Sequence, residues 1–183
     1  VCAIYGANAS GKTNVLEAFY YMKKKVLISD DSRLGINFNE DNVYTFMINN
    51  NPMGFEVEIL AKNNKIYKYG FEILNDSISS EWLFEKQVNK FYPIFERDSN
   101  HIQVKDEKNK LLENANLNEK TLVLNAFTRI DNKNEDFKNV YEWFIYANYL
   151  NLGNPNIENS LNSKISSRII EDSKYKEELL RFI

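Results

Sequence analysis

The sequence predicts an α/β chain, and three observations carry that prediction. A short apolar run leads through a glycine-bracketed octet into a stretch with helical period. From Gly54 to about Val104 the apolar residues alternate with a period of two. After Asn118 the helical period returns.

The elements follow in order. Val1-Cys2-Ala3-Ile4-Tyr5 is a continuous apolar run ending at Gly6, the pattern of a buried strand. From Thr13 onward Val15, Ala18, Phe19, Met22 and Val26 recur at helical spacing, which predicts a helix with one apolar face. Lys23, Lys24 and Lys25 fall in its last turn, where positive charge suits the negative end of the helix dipole. Val26-Leu27-Ile28-Ser29-Asp30-Asp31 has the outward form of an apolar strand ending in acids. It continues the helix, however, so a helix end followed by a turn is expected. Residues 29–53 are rich in Asp, Asn and Ser and read as a long surface connection, with Phe38, Val43, Tyr44 and Phe46 as anchors.

Phe55-Glu56-Val57-Glu58-Ile59 is a first alternating strand, closed by a turn at Lys62-Asn63-Asn64-Lys65. Ile66 to Leu74 forms a second, and Asn75-Asp76-Ser77 the next turn. A third runs from Ile78 to Lys86 through Trp82 and Phe84. Ile94 to Arg97 and Ile102 to Val104 make a last hairpin around Asp98-Ser99-Asn100. The sum is an antiparallel meander. Phe137, Val140, Tyr141, Phe144 and Ile145 then mark one face of a helix over 135–150, and Gly153-Asn154-Pro155 breaks the chain. Leu161, Ile165, Ile169 and Tyr175 to Phe182 suggest a further helical segment. Because the chain opens inside a strand and closes inside a helix without a stop signal, it is expected to be part of a longer protein.

Composition narrows the function. A net charge of −3 and a pI near 5.4 remove overall basicity as an argument for nucleic acid. The single cysteine excludes an intramolecular disulfide and fits a reducing, cytoplasmic setting. No apolar run approaches the roughly 18–20 residues that cross a bilayer, so no membrane partner is expected.

One motif carries chemistry. Gly6-Ala7-Asn8-Ala9-Ser10-Gly11-Lys12-Thr13 matches G-x-x-x-x-G-K-[ST], the phosphate-binding P-loop, and two of only six glycines fall inside it. Chance would produce such an octet roughly 0.002 times in a chain of this composition. Backbone N–H groups of the turn and of the first helical residues are expected to form a nest around a β-phosphate. Gly6 and Gly11 permit backbone angles and approaches that a Cβ would obstruct. Lys12 is the expected catalytic cation bridging β- and γ-phosphate oxygens, and Thr13 the expected Mg²⁺ ligand. The nucleotide-binding set is therefore Gly6, Asn8, Ala9, Ser10, Gly11, Lys12, Thr13 and Asn14, with ATP and Mg²⁺ as cofactors. A tight turn capping a helix would explain the glycines but not Lys12 and Thr13.

Other residues receive blander readings. His101 beside a turn is a solvated loop residue, and Cys2 a small core residue. Glu56 and Glu58 belong to a solvated strand face. The Tyr and Phe residues sit at core spacing rather than forming a platform for bases.

The stretch from Tyr5 to Ala18 resembles the P-loop of ABC-type chromosomal and defence ATPases, the RecF, SMC and OLD families and the AAA-type ATPases of abortive-infection systems. Asn8, Ser10, Asn14 and Ala18 match their shared loop; RecF and SMC loops usually carry Gly where this chain has Ala9. Tyr67-Lys68-Tyr69-Gly70-Phe71-Glu72, Glu81-Trp82-Leu83 and Phe95-Glu96-Arg97 are similar to the abortive-infection branch. The resemblance implies a P-loop core with an antiparallel β lobe after the first helix, read here as a single truncated ATPase head over 1–183. Its parts are a P-loop strand and helix (1–28), the β lobe (54–104) and a helical part (119–183). It also implies ATP hydrolysis between two heads of a homodimer, a DNA or toxin/effector partner, and a role in DNA repair or phage defence. The Walker B acid and the signature segment of such proteins are expected beyond Ile183. A Gln that helps hold Mg²⁺ in the family has no counterpart here; Asn125, Thr128 and Asp131 occupy the neighbourhood. Two alternatives stand beside this reading. A small-molecule kinase would show an Arg-rich lid, and five scattered arginines argue against it. A non-hydrolysing switch or interaction module would keep the P-loop for structure.

Overall fold

The computed structural model describes residues 4–28, 51–105, 107–130, 134–147, 166, 170–173 and 177. The chain divides into two compact units, one of Val1–Glu17 with Asn148–Ile183 and one of Ala18–Ala147. The elements are α1 (Lys12–Leu27), β1 (Met53–Leu60), β2 (Ile66–Leu74), β3 (Ser77–Gln87), β4 (Lys90–Asp98), β5 (His101–Val104), α2 (Val123–Ile130) and α3 (Glu135–Tyr146). A 3₁₀ segment, Glu107–Asn114, follows β5. The α/β class and the meander expected from the sequence are both present.

The five strands form one antiparallel sheet in chain order, each pairing only with its neighbours in sequence. Their turns explain that simplicity. Asn75 and Asp76 both have positive φ, 49° and 65°, as a two-residue hairpin loop of the primed type requires. In the β1–β2 turn Asn64 has φ 61°, and the Asn63 side chain accepts the N–H of Lys65. The β3–β4 turn at Val88, with φ 56°, was not legible as a turn, because valine disfavours that conformation. The strand expected around Ile94 consequently starts earlier, at Lys90.

One face of the sheet carries Ile59, Tyr67, Tyr69, Phe71, Leu83 and Phe95, all buried. Packed with them are Phe137, Val140 and Phe144 of α3, at the helical spacing seen in the sequence. Phe95 and Phe137 stack with centroids 5.3 Å apart, and Tyr69 meets Phe144 edge-on at 5.7 Å. The second half of α1 joins this core through Met22 and Val26. Its tail is fastened by polar contacts: Lys23 Nζ donates to the carbonyl oxygens of Ile145 and Ala147, and Tyr141 donates to that of Leu27. The α3 amino terminus is capped by Asn134, whose side chain accepts the N–H groups of Asp136 and Phe137. Tyr67 donates to Asp136 Oδ1 at 2.6 Å, tying that end of α3 to β2.

Several expectations need correction. Residues 1–3 of the expected buried strand lie outside the described residues; Ile4 and Tyr5 have no regular structure and are 46% and 90% exposed. A strand gains its burial from paired neighbours, and the only sheet among the described residues runs from β1 to β5. The apolar face of α1 is buried only in its second half, since Val15 and Ala18 are exposed. His101 is exposed as expected, but it opens β5 rather than lying in a loop. Helix α1 does continue through Val26 and Leu27, as the rejection of an acidic strand end required. Cys2, the connection 29–50, Asp131, the break at 153–155 and nearly all of the last helical segment lie outside the described residues. Ser166, Ile170, Glu171, Ser173 and Glu177 are helical.

Candidate functional site

The octet forms an exposed loop whose last residues become the first turn of α1. Ala9 has φ 62° and Gly11 φ 85°, with Ser10 between them, so the backbone changes hand twice in three residues. Such alternation turns successive N–H groups toward one side and makes a concave anion nest. The Ser10 N–H donates to Ala7 C=O at 3.3 Å, and the first helical bond runs from Val15 N–H to Gly11 C=O. The N–H groups of Lys12, Thr13 and Asn14 are therefore the open donors of the helix's first turn, at its positive end.

Lys12 folds back over this loop. Its ammonium donates to Gly6 C=O at 2.9 Å, Ala7 C=O at 2.6 Å and Ser10 Oγ at 3.4 Å. Gly6 lies close against the serine, since a Cβ there would stand 2.9 Å from Ser10 Oγ, which would have to rotate away. Asn8, Thr13 and Asn14 are exposed, with no side-chain hydrogen bond among the described residues. The donor set suits a phosphate chain: an amide nest, one ammonium resting on carbonyls it can exchange for phosphate oxygens, and a free Thr13 hydroxyl. Among the described residues no group of three or more His, Cys, Asp or Glu gathers to hold a metal by protein ligands alone. A Mg²⁺ held jointly by Thr13 and phosphate oxygens asks for no such group.

A second constellation lies in the other unit and escaped the sequence reading as a cluster. Glu81, fully buried, accepts the N–H of Val123 at 2.6 Å and of Leu124 at 3.0 Å, so a β3 carboxylate caps α2 from 42 residues away. Tyr69 donates to the same carboxylate at 3.0 Å. Arg97, opposite Glu81 in the β3–β4 register, is also buried and donates to the carbonyls of Ser99 and Thr121, each at 2.6 Å. Burial raises the Glu81 carboxyl to about 7 against the pull of the two amides and Arg97, and burial likewise lowers the Arg97 guanidinium. Glu81 shares its strand face with the core residue Leu83. This cluster holds structure. Asn125 and Thr128 are likewise engaged with backbone, Asn125 donating to Val26 C=O at 2.6 Å and Thr128 to Leu124 C=O at 2.7 Å.

Among the described residues no helix is long and apolar enough to cross a membrane. Compared with known proteins, the chain matches over residues 1–121 the family model described as "AAA domain, putative AbiEii toxin, Type IV TA system". Neither the curated proteins nor the solved structures gave a match. The matched segment takes in both the octet and the whole meander, about two thirds of the chain, and the chain accordingly belongs to this family of P-loop ATPases related to abortive-infection AAA proteins.

Proposed function

We propose that this AAA domain binds Mg·ATP through the octet and is the amino-terminal part of an ABC-type head, of the RecF, SMC and OLD kind. The supporting observation is the pair of left-handed residues, Ala9 and Gly11, placed directly before the open N–H groups of α1 with Lys12 laid across them. In this reading the N–H groups of Ala9 and of Gly11 to Asn14 receive the β-phosphate, with Gly6, Asn8 and Ser10 shaping the loop. Lys12 releases Gly6 and Ala7 to neutralise charge on the β- and γ-oxygens. Thr13 directs its hydroxyl to the cation. Bound Mg²⁺ would supply charge neutralisation between the same phosphate oxygens. Hydrolysis belongs to the full-length protein, as a homodimer of heads whose association follows ATP occupancy. That population shift would drive DNA repair or phage defence through DNA or a toxin/effector partner in the cytoplasm.

The test is equilibrium binding of a fluorescent ATP analogue to this chain, with and without Mg²⁺. Lys12→Ala should weaken binding at least tenfold, and Thr13→Ala should abolish the Mg²⁺ enhancement. Equal affinity of Lys12→Ala and the parent chain would remove Lys12 from the site and the proposal with it. Turnover by the full-length protein, compared with its Lys12→Ala variant, separates an ATPase from a non-hydrolysing switch.

A further inference from the structure

The face of the sheet away from its helices carries a groove of about 700 Å³, within the size range of ligand sites. A single rung of the ladder crosses all five strands there: Glu56, Gly70, Trp82, Glu96 and Gln103. Gly70 makes this rung possible. A Cβ at that position would lie 2.5 Å from Trp82 Cζ2, so the indole rests directly on the β2 backbone and presents itself as a plate. Glu56 stands on one side, accepting the Trp82 indole N–H at 2.9 Å and pairing with Lys68 Nζ at 3.7 Å, and Glu96 on the other. Glu96 is exposed and makes no ion pair among the described residues. Phe84 and Phe91 extend the aromatic floor.

This surface already attracts cations. Lys68 Nζ lies 4.5 Å from the Phe91 centroid and Lys86 Nζ 5.7 Å. Phosphate is the wrong ligand, because Glu56, Glu96 and Asp98 would repel it. The connection 29–50 is the wrong occupant by charge, with four acids against one arginine. A flat aromatic plate beside the Glu96 carboxylate, unpaired among the described residues, matches a planar guanidinium, which can stack on the ring and pair bidentately at its edge.

We propose that this groove docks an extended, arginine-bearing segment of a partner protein, one guanidinium lying on Trp82 and pairing with Glu96. The side chains alternating with arginine along such a segment would meet Phe84. The nucleotide loop lies in the other unit.

The experiment titrates the isotopically labelled chain with a nine-residue peptide carrying arginine at alternate positions, and with matched lysine and glutamate peptides. The Trp82 indole N–H, distinguished from Trp143 by a Trp143→Phe variant, is the reporter. The arginine peptide should shift that resonance and the β2–β4 amides, with the lysine peptide several-fold weaker and the glutamate peptide silent. Glu96→Gln, an exposed change that leaves the core intact, should weaken the arginine peptide about tenfold. Silence of the Trp82 resonance overturns the proposal. So does unchanged affinity in Glu96→Gln, which would mark diffuse attraction of a basic peptide to an acidic chain.

Discussion

The carboxylate of Glu81 on β3 accepts the backbone N–H of Val123 at 2.6 Å, so the first turn of α2 is closed by a strand rather than by its own flanking residues. Removing that carboxylate leaves two amides uncapped and Arg97 without its counter-charge in the interior. Glu81→Ala should therefore lose about 3–5 kcal/mol in urea unfolding, and Glu81→Gln less, because one acceptor remains.

The same group gives a pH dependence. Its carboxyl is raised from 4.5 to about 7 by burial, so between those values the folded chain holds a proton that the unfolded chain releases. The contribution is fully present below about pH 4.5 and is lost as pH rises through about 7. The stability difference between the parent chain and Glu81→Gln should accordingly shrink from pH 4.5 to 7.5. A difference that stays level across that range would place the Glu81 pKa near its ordinary value.

The two left-handed residues of the loop should respond in opposite directions. Gly11→Ala sets a Cβ at φ 85°, a conformation that costs an L-residue about 1–2 kcal/mol, and should weaken ATP-analogue binding five- to thirtyfold. Ala9→Gly relieves the same strain at φ 62° and should tighten binding a few-fold. Parallel changes in the two variants would mean that backbone hand is not what shapes the site.

Gly70→Ala tests the close packing under Trp82. The new Cβ would sit 2.6 Å from the Phe55 carbonyl oxygen as well as against the indole, and a paired backbone has little room to retreat. A loss of about 1–3 kcal/mol is expected, accompanied by a change in Trp82 fluorescence. Unaltered fluorescence with full stability would show that the ring does not lie where it is described.

Asn134→Ala should cost about 1 kcal/mol, since two amides at the start of α3 lose their acceptor. Asn134→Ser should restore most of it. Thermal unfolding of the three proteins side by side is sufficient to decide.

Much of this was legible in the sequence because local rules dominate where it was. The meander announced itself through alternation and through Asn-Asp and Asn-Asn turns, and α3 through Phe137, Val140 and Phe144. The octet announced its own chemistry. What was missed depends on distance along the chain. The Val88 turn violates its residue's preference and is held by the strands it joins. Glu81 reads as an ordinary strand carboxylate until register places it opposite Arg97 and under the start of α2. Ile4 and Tyr5 are apolar without being covered, because burial is decided by neighbouring strands and not by the run itself.

Because each strand pairs only with its neighbours in sequence, the sheet can zip hairpin by hairpin, and closing such short loops is fast. During synthesis the sheet would be complete by Val104 while Val123, nineteen residues later, had still to emerge. Until then Glu81 faces an unfinished core without its helix donors. The arrival of α2 is thus the event that converts a collapsed ribbon into a locked domain, and conditions that delay it should favour aggregation through the uncovered aromatic face.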